Sequence, residues 1–218
     1  VLKASEQCPL SAIRIGELAA EVFPPGVFNV VTGAGPLSGQ AIVRSPKVAR
    51  IAFIGSETTG REIQRSAAES AVKNVTLELG GKNAMVVLAD ADPLAAAEGA
   101  VKGMNFTATQ GESCGSNSRL LVHRSIIDEV VNGVVDLVEK IRLGVPIKED
   151  TQMGALVSAA HLDRVSGYVE TGVGGGAELV TGGARPDHLP VGYFLQPTVF
   201  TGVTSEMRIA QEEIFGPV

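Results

Sequence analysis

The feature of this sequence that most limits its fold is a repeated order of apolar run, glycine turn and helical segment. The mainly apolar segment 27–31 (VFNVV) precedes a glycine-containing turn and a helix predicted at 37–44. The mainly apolar segment 50–54 (RIAFI) precedes a Gly-Ser turn and a helix predicted to end near residue 68. Strands connected through helices run parallel, and buried parallel strands are apolar along their whole length. The pattern therefore predicts an α/β fold with a parallel sheet.

A change of pattern near residues 73–75 predicts a domain boundary. Residues 74–79 alternate between apolar and polar side chains and then meet a glycine pair. Asp92 and Pro93 predict a helix start, because Asp is a favoured N-cap and Pro fits the first helical turn. The other predicted elements are helices at 11–22, 127–141 and 158–171, strands at 85–88 and 199–203, and turn-rich segments at 172–183 and 187–192.

Composition excludes several classes of protein. With 44 % hydrophobic and 19 % charged residues, the chain does not have the composition of a disordered protein. Its net charge of −6, without a basic block, argues against nucleic acid or an anionic membrane as a partner. Its apolar runs are shorter than the ~20 residues of a membrane span. Cys8 and Cys114 are too few for a disulfide framework, which predicts a reducing, cytoplasmic location. The three scattered histidines predict no metal site.

Two residues have the local surroundings of catalytic groups. Cys114 lies in the segment QGESCGSNSR, whose small side chains would let a substrate and backbone N–H donors approach the sulfur. Glu78 lies between two leucines at a strand end, where burial would raise the pKa of its carboxyl group and suit it to act as a general base. Taken alone, each has a structural alternative: Cys114 as a small core residue, and Glu78 as an exposed carboxylate.

Three segments have features of nucleotide-binding sites. Residues 33–39 read GAGPLSG, which resembles a phosphate loop but lacks the GxGxxG pattern because Ser38 replaces the last glycine. The Gly55-Ser56 turn opens a helix whose amino terminus could hold a phosphate. Lys3 and Glu6 could bracket a ribose with one donor and one acceptor. Each has a plain alternative, since most such turns bind nothing and most such charge pairs are solvated.

Taken together, these segments resemble the aldehyde dehydrogenase superfamily. The match covers nearly the whole chain in the family's order, and the most specific part is LELGGK followed downstream by Gly-Glu-x-Cys. The matching segments are VLKASEQCPL, FPPGVFNVVTGAGP, FIGSETTG, VTLELGGKNA, QGESCGSNSR, GYFLQPTVF and EEIFGPV.

The resemblance implies a role for each matching residue. Cys114 would be the catalytic nucleophile and Glu78 the general base. Glu6 would face the adenosine ribose, where its charge would repel a 2′-phosphate and favour NAD over NADP; Lys3 partly offsets that charge, so NADP stays open. Glu213 would hold the nicotinamide ribose. The implied cofactor-binding residues are Lys3, Glu6, Gly35, Phe53, Gly55, Ser56, Thr59, Leu79, Glu213 and Phe215.

The resemblance also implies a fold and a reaction. Residues 1–74 would be the carboxyl-terminal part of a Rossmann-like cofactor domain, and residues 75–218 a truncated α/β catalytic domain. The enzyme would oxidise a small-molecule aldehyde to a carboxylic acid with NAD(P), through a thiohemiacetal and a thioester on the cysteine. The full-length parent would be a homo-oligomer, either dimer or tetramer. Because the chain has no initiator Met and no closing helix, we expect a central fragment that is inactive alone.

Three positions depart from the usual family pattern. Ile54 replaces Thr or Ser near the cofactor, Glu112 replaces the commoner Gln, and Ala108 stands where relatives often carry a bulky aromatic residue. Two other functions stay open. One is a CoA-acylating semialdehyde dehydrogenase, in which a thiol replaces water. The other is a non-enzymatic protein that retains the fold. Glu78 argues against the first, because those relatives commonly lack that base, and the joint presence of Cys114 and Glu78 argues against the second.

Overall fold

The computed structural model describes all 218 residues, which form two compact units, Val1–Gly80 and Gly81–Val218. Strands and helices alternate in the first unit. Its elements are β1 (Leu2–Lys3), α1 (Leu10–Val22), β2 (Val30–Val31), a π-helical turn (Gly35–Gly39) that continues into α2 (Gln40–Arg44), β3 (Arg50–Ile54), α3 (Glu57–Ser70) and β4 (Asn74–Glu78).

The strands of the first unit pair in parallel, as the sequence pattern predicts. β1 pairs with β2, and β3 pairs with β4 along its whole length, from Arg50 opposite Asn74 to Ile54 opposite Glu78. The division after Gly80 lies beyond the boundary predicted near residues 73–75, because β4 is bonded to β3 and so belongs to the first unit.

A small core holds the first unit together. α3 lies on one side of it and begins at Ser56, whose hydroxyl oxygen accepts a hydrogen bond from the Thr59 backbone N–H at 3.3 Å. Such an N-cap satisfies a backbone donor that the helix itself cannot. The buried side chains are Val43, Ile51, Ile63 and Ala67.

The second unit contains more helix and two larger cores. Its elements are β5 (Ala84–Val87), α4 (Pro93–Gly103), α5 (Phe106–Thr109), β6 (Arg119–Val122), α6 (Ile127–Val138), α7 (Ala159–Gly174), β7 (Glu178–Thr181), β8 (Val199–Thr201) and α8 (Arg208–Gln211). β5 and β6 are parallel, whereas β7 and β8 are antiparallel.

Two helices of the second unit confirm the local sequence patterns. Asp92 caps α4 by accepting a hydrogen bond from the Ala95 N–H at 2.8 Å. α6 buries Val130, Val134 and Val138, which recur every four residues on one face. One core forms where α4 and α6 pack together, and the other lies around Leu156, Val165 and Leu195.

Five short elements were not predicted from the sequence: β1, α5, β6, β7 and α8. β7 lies inside the segment 172–183 that was predicted to be turn-rich. That prediction was wrong for residues 178–181, because their pairing with β8 lies about twenty positions away in sequence and local composition does not report it. None of the helices combines the length and apolar character that crossing a membrane requires.

Candidate active site

The loop that carries Cys114 begins with an unusual backbone. Asn105 and Gln110, on either side of α5, have φ angles of 61° and 56°, and Gly111 has a φ of 74°. A Cβ atom at Gly111 would lie 2.4 Å from the carbonyl oxygen of Gly216. Glycine is required at this point because it tolerates both the left-handed conformation and the close backbone contact.

Hydrogen bonds fix the backbone on both sides of the cysteine. The Asn83 side-chain amide donates to the carbonyl oxygens of Cys114, at 2.7 Å, and Ser116, at 3.2 Å. The buried Ser116 hydroxyl donates to the Met104 carbonyl at 2.9 Å. The Cys114 side chain is nevertheless exposed. The structure therefore presents the thiol outward from a fixed loop, which does not fit the alternative of a core cysteine.

Glu112, two residues before the cysteine, is turned into the protein. Its Oε1 accepts a hydrogen bond from the Val157 backbone N–H at 3.2 Å and lies 3.3 Å from Nε2 of His161. Burial raises the pKa of the Glu112 carboxyl group, while the Val157 N–H and His161 act in the opposite direction. From the sequence alone, Glu112 stands out only as a replacement for Gln, because its partners lie more than forty positions away.

α7 holds the predicted cofactor-facing segment by its main chain. His161 Nε2 lies 2.6 Å from the Phe215 carbonyl oxygen. Arg164, one turn further along the helix, donates to the carbonyl oxygens of Ile214 and Glu213, each at 2.7 Å. Three consecutive carbonyls are thus bound by two side chains of one helix face. Sequence reasoning missed both residues, since neither lies in a motif.

The Glu213 carboxylate, predicted to hold a ribose, is partly engaged within the chain. Its Oε1 accepts a hydrogen bond from the Gly81 backbone N–H at 3.1 Å. The neighbouring Lys82 is half-buried. Burial and the nearby Arg119 charge lower the pKa of Lys82 to about 8, against the opposing effect of Glu213. Gly81 and the terminal segment therefore meet at this carboxylate.

Glu78 differs from its sequence-based description. The expected burial between two leucines is wrong, because side chains alternate along β4. Val75, Leu77 and Leu79 are half-buried, whereas Thr76 and Glu78 are exposed. The flanking leucines therefore lie on the opposite face from the carboxylate.

Lys3, Glu6 and Gly35 are brought together at the carboxyl end of β1. The Lys3 ammonium lies 2.9 Å from Oε2 of Glu6. This hydrogen bond, with a smaller contribution from the Gly35 backbone N–H, lowers the pKa of the Glu6 carboxyl group. The two charged residues, predicted to bracket a ribose, are therefore paired with each other in this structure.

The remaining predicted residues of the first unit surround the turn between β3 and α3. A Cβ atom at Gly55 would lie 2.5 Å from the Phe53 ring, so this turn has no room for a side chain. Thr59 donates to the Ser56 cap. Leu79 packs beside Gly60, where an added Cβ would lie 3.0 Å from its Cδ2.

A cavity of about 740 Å³ lies elsewhere in the second unit, lined by Val138–Val145 and by parts of 148–151, 181–189 and 196–197. It contains none of the predicted site residues. No group of three or more His, Cys, Asp or Glu side chains is gathered as a metal site would require.

The whole chain, residues 1–218, matches the aldehyde dehydrogenase family. It is 47 % identical over 224 residues to aldehyde dehydrogenase tropH of Talaromyces stipitatus. It is 42 % identical over 219 residues to the peroxisomal aminoaldehyde dehydrogenase 2 of Pisum sativum. In both cases all of this chain aligns with 43 % of the relative's length. The chain belongs to the aldehyde dehydrogenase family.

Solved structures give the same result. The NAD-dependent aldehyde dehydrogenase from Sinorhizobium meliloti superposes with a TM-score of 0.93 at 46 % identity, over 99 % of this chain and 42 % of that one. Betaine aldehyde dehydrogenase from Staphylococcus aureus in complex with NAD⁺ superposes with a TM-score of 0.92 at 40 % identity, over 99 % of this chain and 43 % of that one. The expected α/β aldehyde dehydrogenase fold is confirmed, and the chain spans less than half the length of these proteins.

Proposed function

We propose that the complete protein carrying this sequence oxidises an aldehyde to a carboxylic acid with NAD, with Cys114 as nucleophile and Glu78 as general base. The observation that carries the proposal is the exposed Cys114 thiol on a backbone pinned by Asn83. A fixed, accessible thiol is what covalent catalysis on a carbonyl carbon requires. Membership of the aldehyde dehydrogenase family supports the same reaction.

The residues of the first unit fit a dinucleotide. Parallel α/β sheets bind such ligands beyond the carboxyl ends of their strands. Lys3 ends β1 there and Ile54 ends β3 there, followed by the Gly55 turn and the amino terminus of the 14-residue helix α3. The close approach of Phe53 to Gly55 leaves backbone but no side chain at the turn, as close contact with a pyrophosphate would need.

In the proposed mechanism Cys114 and Glu78 act in sequence. The Cys114 sulfur bonds to the aldehyde carbon and gives a thiohemiacetal. NAD, when bound, would accept the hydride that leaves the thiohemiacetal carbon, and the hydroxyl proton passes to solvent as the thioester carbonyl forms on Cys114. Glu78 then takes a proton from water, which attacks the thioester carbon, releases the acid and restores the thiol. The exposed position of Glu78 gives it access to that water.

Preference for NAD over NADP is part of this proposal. The Glu6 carboxylate carries a negative charge beside the strand end, and its lowered pKa keeps it ionised at neutral pH. A 2′-phosphate placed there would meet that charge. Lys3, which is paired with Glu6, carries a positive charge that would attract a 2′-phosphate and so limits the preference for NAD.

The test is product analysis with the complete protein and propanal as the probe aldehyde. We expect NADH and propanoate without CoA, and a kcat/KM for NAD at least about tenfold above that for NADP. Formation of propanoyl-CoA only when CoA is present would establish the CoA-acylating alternative. Failure to form NADH under either condition would favour the non-enzymatic alternative.

Location and assembly stay predictions. We propose a cytoplasmic homo-oligomer, dimer or tetramer, for the complete protein. The names of the relatives give several cellular locations: some are called peroxisomal, others chloroplastic or mitochondrial. Light scattering of the purified complete protein and fractionation of its native cells would test the two predictions separately.

A further inference from the structure

The imidazole ring of His161 contacts two segments to which the proposed function gives different roles. His161 lies at the start of α7, where the Ser158 hydroxyl accepts a hydrogen bond from its backbone N–H. Its Nε2 lies 2.6 Å from the Phe215 carbonyl oxygen and 3.3 Å from Oε1 of Glu112. The side chains of His161 and Glu112 are only 14 % and 12 % exposed. Glu112 belongs to the Cys114 loop, and Phe215 belongs to the terminal segment.

The short distance decides which nitrogen carries the proton. A carbonyl oxygen has only lone pairs to offer, so a nitrogen 2.6 Å away must present an N–H. Nε2 of His161 is therefore protonated and donates to Phe215. Oε1 of Glu112, 3.3 Å from the same nitrogen, makes an electrostatic contact with this N–H, whose hydrogen bond goes to Phe215. The contact thus favours the carboxylate form of Glu112, which also accepts the Val157 N–H.

Glu112 has a single ionisable partner, His161. No other ionisable side chain forms an ion pair or hydrogen bond with Glu112. On the next turn of α7, Arg164 is occupied by the Glu213 and Ile214 carbonyls. Phe215 has a φ of 63°, a conformation that a residue other than glycine keeps only where its surroundings hold it.

We propose that His161 is a positioning residue that holds the Cys114 loop, through Glu112, and the Glu213–Phe215 segment, through the Phe215 carbonyl, in one fixed arrangement. The nucleophile and the proposed cofactor contacts are then set by the same side chain. The part that concerns the cofactor rests on the proposed function. The part that concerns the cysteine loop does not.

The first experiment measures the thiol directly and needs no turnover. In the complete protein without cofactor, the alkylation rate of Cys114 by iodoacetamide is followed by peptide mass spectrometry, with Cys8 as internal reference. His161→Leu removes the donor and should change the Cys114 rate by about threefold or more. His161→Gln retains an N–H donor and should restore the rate to within about twofold. His123→Leu, at an exposed histidine, is the matched control.

A double-mutant cycle tests the pathway through Glu112. Glu112→Ala should change the Cys114 alkylation rate as His161→Leu does, and the double variant should add little, because both remove the same contact. Additive changes would contradict the link. An unchanged rate in His161→Leu, or an equal change in His161→Leu and His161→Gln, would overturn the positioning role, since it would leave only a packing effect or none.

The second experiment tests the cofactor side, with propanal and NAD as probes. His161→Leu should raise KM for NAD about fivefold while changing KM for propanal less, and His161→Gln should restore KM for NAD. If His161→Leu changed the alkylation rate of Cys114 but left KM for NAD unchanged, the proposed link through Phe215 to the cofactor would be overturned. An unsubstituted protein that alkylates normally but never forms NADH would refute the proposed function and leave the alkylation test valid.

Discussion

The two units hold their proposed site residues by different means. In the first unit the residues follow strand ends and a helix cap, and their side-chain hydrogen bonds span a few positions, as between Lys3 and Glu6 or Ser56 and Thr59. In the second unit the Cys114 loop is held by Asn83, and its neighbour Glu112 by Val157 and His161, all more than thirty positions away. Local hydrogen bonds thus hold the proposed residues of the first unit, and tertiary contacts hold those of the second.

The hydrophobic core of the first unit is smaller than the cores of the second unit. The first unit buries four side chains in a single cluster, and none of the residues of α1 is buried. The second unit buries ten side chains in one cluster and seven in another. A loop pinned from several directions needs such a framework, because each distant contact must offset the entropy of ordering its partners. Disturbing a site residue of the second unit should therefore have wider effects than disturbing one of the first.

The largest expected effect is the loss of the thiol. In the complete protein, Cys114→Ala should lower the rate of NADH formation from propanal by more than about 10⁴-fold, because no nucleophile remains. Cys8→Ala, at the other exposed cysteine, should change the rate by less than about twofold. NADH formation by Cys114→Ala near the unsubstituted rate would remove Cys114 from the mechanism.

Glu78→Gln should lower kcat by about 10²–10⁴-fold, the usual contribution of a general base. If the base serves thioester hydrolysis, NADH should still appear in a burst of about one equivalent per active site before the slow phase. Rapid-quench measurement of NADH gives both phases. Turnover of Glu78→Gln at the unsubstituted rate would show that this exposed carboxylate of the first unit is not the base.

Gly111→Ala tests the tertiary contact beneath the Cys114 loop. The left-handed φ and the approach to the Gly216 carbonyl should together destabilise the protein by about 2 kcal/mol or more. Gly167→Ala, inside α7 with open space around it, is the matched control and should stabilise by about 0.5–1 kcal/mol. Thermal unfolding of both variants makes the measurement. Equal thermal unfolding midpoints for the two variants would mean that the Cys114 loop accommodates the added methyl group without a loss of stability.

The smallest effect concerns Glu112 and depends on pH. Its pKa is raised in the folded state, so ionisation costs folding free energy as the pH rises through that pKa. Glu112→Gln keeps an acceptor for Val157 and removes this cost, which should stabilise the protein by less than about 1 kcal/mol near neutral pH. The gain should vanish at acid pH, where Glu112 itself is neutral. Thermal midpoints across pH, with the exposed Glu149→Gln as control, make the comparison. A gain that persists unchanged in acid would contradict the charge-based explanation.

Much of the fold is predictable from local patterns, and the exceptions have a common cause. β3 was predicted at its observed bounds, and α4 and α6 near theirs, because a cap, a glycine turn or a regular apolar stripe lies within the element itself. β7 and α8 were missed because neither contains such a signal within its four residues, and β7 is a strand through its pairing with the distant β8. Glu78 was assigned the wrong environment because its leucine neighbours were considered without the alternation of the strand.

The sequence by itself determined the family, the parallel α/β pattern and the identity of the proposed site residues, since these depend on residue order and on motifs read along the chain. Only the tertiary structure decided how the Cys114 loop is held, because Asn83, Val157 and His161 come from separate elements. The same holds for the carbonyls of residues 213–215, which are bound by two side chains of α7. Hydrogen bonds between distant segments depend on how helices and strands pack, and residue spacing carries no record of that packing.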